Sequence, residues 1–276
     1  MIYGQVDLYD YFHREKQPSQ RALLTVYSRP PHSEESADKR RPALLILPGG
    51  GYSFVSERER EPVAVEWLKR GFNCYTLQYS VRPQRYPVQL TEAAMAMAYV
   101  AANAEQHGTD ASRVAAVGFS AGGHLCAMLS SRSVNDEVKR ALGDIPAVQP
   151  VAALICYGVL DYENSARTTD TFRNVTGNFG VEVKDVNPVK LVTAATSPTF
   201  LWHTFNDEVV PVANSINYAS ALHKAGVSCE LHVFDEGAHG LSLATEETGC
   251  TSDKEKRCAA WVDLACDWLR INRGFR

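Results

Sequence analysis

No stretch of the 276-residue chain is suited to crossing a membrane. The longest run free of charged and strongly polar side chains, Ala93 to Ala102, falls far short of the roughly 18 apolar residues that a helical span needs. A basic tract is missing too: 28 Lys and Arg stand against 32 Asp and Glu, a formal net charge of −4, and the Arg pairs are scattered. With no positive stripe to neutralise phosphates, nucleic acid is not expected as a partner. Met1 to Asp7 has neither the basic head nor the apolar core of a secretory signal, which makes the cytoplasm the simplest compartment. The seven Cys include no CxxC pair, and Cys250, Cys258 and Cys266 have no His at ligand spacing, so no structural metal is expected. Cys74, Cys126 and Cys156 lie in or beside apolar segments and read as reduced packing residues.

What remains is the composition of an ordinary globular protein, with 45% apolar and 22% charged residues. A chain of this length can bury about 70 to 75% of its unfolded surface around one core. No repeat, low-complexity segment or composition break divides it, and one domain over residues 1–276 is the expectation. The segments Ala22–Tyr27, Ala43–Leu47, Phe72–Gln78, Val114–Val117, Ala152–Tyr157, Ser197–His203 and Ser228–Phe234 read as strands. Helix candidates alternate with them: Glu57–Arg70 before Gly71, Leu90–Ala104 before Gly108, a helix beginning near Ala121, Val212–Ala225 before Gly226, and Cys258–Ile271. Strands alternating with helices predict an α/β fold with a mostly parallel central sheet flanked by helices. Between about residues 160 and 190 the alternation lapses into polar sequence, read as a small cap-like insertion over the sheet. The charged run Asp38 to Arg41 reads as a solvated turn.

The chemistry is carried by Gly118-Phe119-Ser120-Ala121-Gly122, the pattern G-x-S-x-G, between the short strand ending at Val117 and the helix beginning near Ala121. A serine on such a strand-to-helix turn has its hydroxyl held out at the sheet edge, and the N–H of Ala121 at the helix start would face a developing oxyanion. By itself the pentapeptide could be any glycine-rich loop. A serine hydroxyl is a poor nucleophile without a base, so a His and a carboxylate are required elsewhere. Asp207 follows one later strand and His239, in Gly237-Ala238-His239-Gly240, follows the next. The order Ser120, Asp207, His239 is that of the α/β-hydrolase arrangement. Pro48-Gly49-Gly50-Gly51-Tyr52, directly after the strand Ala43–Leu47, supplies a glycine loop whose amides can turn toward a substrate oxygen.

These residues, together with Leu201 to Pro211 and Gly237 to Leu241, resemble the bacterial α/β-hydrolase esterases related to acetyl-xylan and other carbohydrate acetyl esterases, over roughly Pro42 to the C-terminal helix. The resemblance implies Ser120 as nucleophile, His239 as base, Asp207 as its orienting acid, and Gly50, Gly51 and Ala121 as oxyanion donors. It implies a serine carboxylesterase acting on short-acyl, acetyl-type esters of small molecules such as sugars, without a cofactor. Pro48 stands where the lipase-like branch has His, and Tyr79-Ser80-Val81-Arg82-Pro83 is similar to the family's tyrosine-initiated loop. A prolyl-oligopeptidase-type peptidase shares the same order, but no room exists for its large gating domain; a binding module usually lacks one member of the triad, and none is missing. A homodimer is left open.

The other candidates read as follows. His13, His32 and His107 are expected at the surface. His124 is expected as a packed helix histidine, His203 as support for the Asp207 loop, and Trp202 as core. Asp161 is a reserve acid after an earlier strand, and Asp235 and Glu236 are expected as solvated loop carboxylates.

Overall fold

The structure, a computed structural model, describes residues 1–275 apart from 33, 35, 37, 132–135, 165–168 and 178–182. Eight strands form one sheet: β1 (Ile2–Asp7), β2 (Leu23–Ser28), β3 (Arg41–Leu47), β4 (Asn73–Gln78), β5 (Thr109–Phe119), β6 (Ala153–Cys156), β7 (Thr199–Thr204) and β8 (Cys229–Phe234). Their order is β1-β2-β4-β3-β5-β6-β7-β8. The β1–β2 and β2–β4 pairs are antiparallel and the remaining five pairs parallel. Strand β3 is buried on both faces, which is why its Ala43-Leu44-Leu45-Ile46-Leu47 is continuous rather than alternating.

Alternate residues of the strands feed two cores. Leu45, Leu47, Tyr75, Leu77 and Leu201 face one side, under α2 (Val88–Ala102), α3 (Ala121–Ser130) and α6 (Ala213–Lys224). Leu44, Ile46, Val117, Phe200 and Trp202 face the other, under α1 (Glu61–Lys69) and α7 (Ala260–Asp267). Trp202 stacks on Trp261 with ring centroids 5.6 Å apart, so it is a core residue as expected. Two more helices flank β6: α4 (Asp136–Leu142) precedes it, and α5 (Thr169–Thr176) follows it within the polar insertion. No helix among the described residues is long and apolar enough to cross a membrane.

Several expectations need correction. The N-terminal stretch forms edge strand β1, whose half-buried alternation is too weak to read without its partner β2. Glu57–Arg70 is a 3₁₀ turn, Glu57–Glu59, followed by α1, with Pro62 in its first turn. Helix Cys258–Ile271 is likewise divided into a 3₁₀ turn, α7 and a wider π-type turn over Trp268–Asn272 that keeps the adjacent Trp268 and Leu269 both buried. Arg41 does not belong to a solvated turn: it begins β3, is buried, and its Nε donates to the Arg29 carbonyl at 3.0 Å. His107 is not at the surface. Its ring is buried between Tyr75 and Tyr99, Nδ1 lies 3.0 Å from the Tyr75 hydroxyl, and burial lowers its pKa.

Because β3, β5, β6, β7 and β8 run parallel, their carboxyl ends share one edge of the sheet. The segments after β3, β5, β7 and β8 are those carrying Gly49 to Gly51, Ser120, Asp207 and His239. Chain crossovers at such an edge leave a crevice for ligands.

Candidate active site

Ser120 joins β5 directly to α3 and holds φ 53°, ψ −116°, a conformation that a side chain adopts only when its surroundings impose it. Those surroundings are backbone bonds: Ser120 N–H donates to the Cys156 carbonyl at 3.0 Å, and the Ser120 carbonyl accepts from Val159 at 3.2 Å and His124 at 3.1 Å. The turn is tight enough to need glycine where α3 crosses the end of β3. A Cβ on Gly122 would lie 2.0 Å from the Leu47 carbonyl oxygen and 2.4 Å from that of Pro48.

The Ser120 hydroxyl lies 2.8 Å from His239 Nε2, and His239 Nδ1 lies 2.7 Å from Asp207 Oδ2. With Nδ1–H donating to the carboxylate, Nε2 is left to accept the serine proton, the tautomer that general-base catalysis requires. Gly237 N–H donates to Asn206 Oδ1 at 2.9 Å, pinning the His239 loop to the Asp207 loop. Asp207 is otherwise saturated: Oδ1 accepts from the N–H groups of Val209 and Val210, both at 2.9 Å, and His203 Nε2 lies 3.3 Å from Oδ2. Burial pushes the Asp207 carboxyl up, but the hydrogen bonds from His203, His239 and Val210 outweigh it and hold the group well below the usual carboxylate range. His203 is itself fixed, its Nε2–H shared between Asp207 Oδ2 and the Val210 carbonyl, 2.9 Å away, and its Nδ1 accepting from Ser215 Oγ at 2.7 Å. It supports the acid loop, as expected.

The glycine loop packs against this pair. Gly50 at φ 124° has no room for a side chain, since a Cβ would meet the Phe54 carbonyl oxygen at 2.1 Å. Among the described residues, no hydrogen bond within the chain engages the N–H groups of Gly50, Gly51 or Ala121. Gly50 and Gly51 line a cavity of about 330 Å³ together with Ser120, His239, Ser53, Arg58 and Asn174, among others. Ala121, the residue after Ser120, is buried and is not among the lining residues. The loop is tied from several sides. Tyr79, first residue of the tyrosine-initiated loop, donates to the Pro48 carbonyl at 2.5 Å, and Asn174 of α5 donates to the Gly51 carbonyl at 2.8 Å and Ser53 Oγ at 2.9 Å.

Glu59 is the residue that sequence reasoning missed. It is 2% exposed, accepts from Gly49 N–H at 2.7 Å through Oε2 and from the Tyr157 hydroxyl at 2.8 Å through Oε1, and lines the cavity. Burial raises its pKa, opposed by those two bonds and by His239 and Arg58. In the sequence it is one of several charges in the helix candidate Glu57–Arg70, yet its spacing from Val63 and Trp67 puts it on the buried stripe at i, i+4 and i+8, which is the signal that could have found it. Tyr157 and Asn174 carried no such signal.

The remaining candidates stay outside the constellation. His124 is buried, with Nε2–H donating to the Val186 carbonyl at 2.7 Å and Nδ1 accepting from the Tyr52 hydroxyl at 2.8 Å. Asp161, the reserve acid, bonds to Asn164, Asn217 and the Glu163 N–H and does not reach His239. Glu236 pairs with Lys254 at the surface. Of the cap stretch, residues 165–168 and 178–182 lie outside the described residues; α5 within it borders the cavity through Asp170, Thr171 and Asn174. No group of His, Cys, Asp and Glu that could hold a metal occurs among the described residues.

A mostly parallel eight-stranded sheet with a serine turn after β5, an acid after β7 and a histidine after β8 defines the α/β-hydrolase fold. Solved α/β-hydrolases agree with it over nearly their whole length. The carboxylesterase Cest-2923 from Lactobacillus plantarum WCFS1 superposes with a TM-score of 0.85 at 27% identity, covering 100% of this chain and 98% of that one. The acetyl ester-xyloside bifunctional hydrolase from Caldicellulosiruptor lactoaceticus gives 0.82 at 29% identity, covering 99% and 97%. The family model described as BD-FAE matches residues 31–222, and the chain belongs to that family. Among curated proteins, endo-1,4-beta-xylanase B of Butyrivibrio fibrisolvens is 32% identical over 223 residues, 76% of this chain; the chain spans 34% of that protein's length.

Proposed function

We propose that this chain is a serine carboxylesterase that hydrolyses short-acyl esters, acetyl esters foremost, on small molecules such as sugars. The reading rests on one observation: the Ser120, His239 and Asp207 side chains stand in line at 2.8 and 2.7 Å on the wall of a cavity of about 330 Å³. Ser120 Oγ attacks the ester carbonyl while His239 Nε2 takes its proton; Asp207 holds the ring and stabilises the imidazolium. The carbonyl oxygen, now negative, is received by the free amides of the Gly50–Gly51 loop and Ala121. His239 returns the proton to the departing alcohol, leaving an acyl-Ser120 ester, and water repeats the sequence to release the acid. No cofactor enters any of these steps.

The substrate class follows from the cavity's size and lining. Ser53, Ser56, Arg58, Asp170, Thr171 and Asn174 offer hydrogen bonds to hydroxyl groups, while a space this small suits a short acyl group better than a fatty chain. The names of the structural neighbours, a carboxylesterase and an acetyl ester-xyloside hydrolase, support the same class. Neither a peptidase nor a non-catalytic module is favoured by any of them. The test is a p-nitrophenyl ester series from acetate to octanoate beside acetylated xylo-oligosaccharides. Turnover is expected to be highest for acetate and to fall steeply beyond butyrate, and Ser120→Ala to lower kcat/KM by about 10⁴-fold or more. A Ser120→Ala protein as active as the parent removes the proposed nucleophile.

A further inference from the structure

The carboxylate of Glu59 is an expensive thing to bury, and nothing in the two-step chemistry above uses it. Its geometry is specific. Gly49 N–H can only donate, so it marks Glu59 Oε2 as an acceptor at 2.7 Å. The Tyr157 oxygen already receives the Ser242 N–H at 2.8 Å, so its own hydrogen is free to go to Glu59 Oε1, 2.8 Å away. Both carboxyl oxygens therefore receive a donor and neither faces an acceptor, the pattern of an ionised carboxylate. The same Gly49 is wedged against the nucleophile: a Cβ there would lie 2.9 Å from Glu59 Oε2, 2.9 Å from the Phe119 carbonyl oxygen and 3.0 Å from Ser120 Cβ. On its other side, the Tyr157 ring meets the His239 ring edge to face at 5.1 Å.

We propose that Glu59 is a second carboxylate of this active site, a positioning residue that locks the glycine loop against Ser120 through Gly49 and places a fixed negative charge beside the imidazolium of His239. The inference rests on the reading of Ser120, His239 and Asp207 as the catalytic triad. Asp207 holds His239 from the Nδ1 side, and Glu59 acts from the cavity wall without a hydrogen bond to the ring. The groups facing Glu59 are His239, Arg58, Tyr157, Tyr79 and Cys156, and of these only Arg58, exposed at the cavity mouth, carries a standing positive charge. The groups around His239 are Asp207, Ser120, Tyr157, Glu59 and, over Gly240, Arg58.

Two effects follow, and they separate experimentally. Loss of the acceptor frees Gly49 and lets the oxyanion amides drift, which lowers kcat by about 10²-fold with KM little changed, because misplacement is felt in the transition state. Loss of the charge leaves the imidazolium less stabilised, so the acid limb of the kcat/KM–pH profile moves to lower pH by about half a unit or more. Glu59→Gln removes the charge and one of the two acceptor oxygens, so that the Gly49 N–H and the Tyr157 hydroxyl can no longer both donate to it, whereas Glu59→Asp keeps the charge and both acceptors but shortens the reach. The experiment measures kcat, KM and the pH profile of parent, Glu59→Gln and Glu59→Asp on p-nitrophenyl acetate, with folding checked by circular dichroism and Ser120 identified by mass spectrometry after fluorophosphonate labelling. The expected result is a lowered kcat in both variants, with the acid limb displaced in Glu59→Gln and restored in Glu59→Asp. A Glu59→Gln protein with parental kcat and an unmoved limb overturns the proposal, as does a loss confined to KM. If Glu59→Gln does not fold, Glu59→Asp decides: a limb displaced to lower pH overturns the role of the charge. A parent that is not labelled at Ser120 overturns the triad reading itself, a different failure from a labelled parent whose variants behave like it.

Discussion

Asp207 illustrates how much a single residue's environment fixes before any substrate arrives. Its carboxylate is surrounded by donors on all sides, two backbone N–H groups on Oδ1 and two histidines at Oδ2. An asparagine there would present an amide N–H to an imidazole N–H and drive His239 toward the tautomer whose Nε2 cannot accept the serine proton. Asp207→Asn is therefore expected to lower kcat on p-nitrophenyl acetate by about 10³ to 10⁴-fold while the protein stays folded. A loss smaller than tenfold would mean that His239 takes its orientation from elsewhere.

At the level of elements, the insertion helix α5 and helix α3 each tie into the glycine loop through one polar side chain, half-buried in α5 and buried in α3. Asn174 ties α5 to the glycine loop through the Gly51 carbonyl and Ser53. Asn174→Ala is expected to lower kcat/KM about tenfold or more, with the global stability changed by only about 1 kcal/mol, as read from steady-state kinetics and urea midpoints. His124 ties α3 to the glycine loop and to the cap through Tyr52 and Val186. Its burial lowers the pKa from 6.5 to about 4, so the unfolded chain binds the proton more tightly than the folded one across that window. Stability is accordingly lost as the pH falls from about 6.5 to 4, on the order of 3 kcal/mol for this group. Gln at this position can still accept from Tyr52 and donate to Val186. The denaturation midpoint of His124→Gln should therefore fall less than the parent's on going from pH 7 to pH 4.5.

For the molecule as a whole, Glu92 links three distant parts of the chain. The carboxylate on α2 accepts from Ser80 N–H at 2.7 Å and its hydroxyl at 2.5 Å, just past β4, and from the Tyr9 hydroxyl at 2.9 Å in the N-terminal segment. Burial pushes its pKa from 4.5 to about 7 against those bonds. A raised carboxylate pKa gives stability that is complete below the unfolded value and lost as the pH rises through the folded one. The slope is thus opposite to that of His124, over roughly pH 4.5 to 7, and of similar size, on the order of 3 kcal/mol. In Glu92→Gln the stability should fall less than in the parent between pH 5 and pH 8, as measured by urea denaturation. An identical slope in both proteins would show that the carboxyl titrates as if exposed.

The local sequence was enough for whatever depends on neighbours in the chain. The continuous apolar run of β3, the G-x-S-x-G turn, the three glycines after Leu47 and the Ser, Asp, His order all express short-range constraints of backbone shape or of a motif's spacing. The same reasoning failed wherever a residue's role is set by a partner far away in the chain. Edge strand β1 needs β2 to be legible; Arg41 and His107, polar by type, are buried because the Arg29 carbonyl and the Tyr75 hydroxyl happen to meet them. Glu59 looks like one more charge in a charged run until Gly49 and Tyr157 close over it. The chain by itself determined which groups could react and which strand ends would carry them, since those follow from side-chain chemistry and backbone geometry. Only the tertiary structure decided which carboxylates are buried and what they hold, because burial and long-range hydrogen bonds exist only once the sheet has brought its ends together.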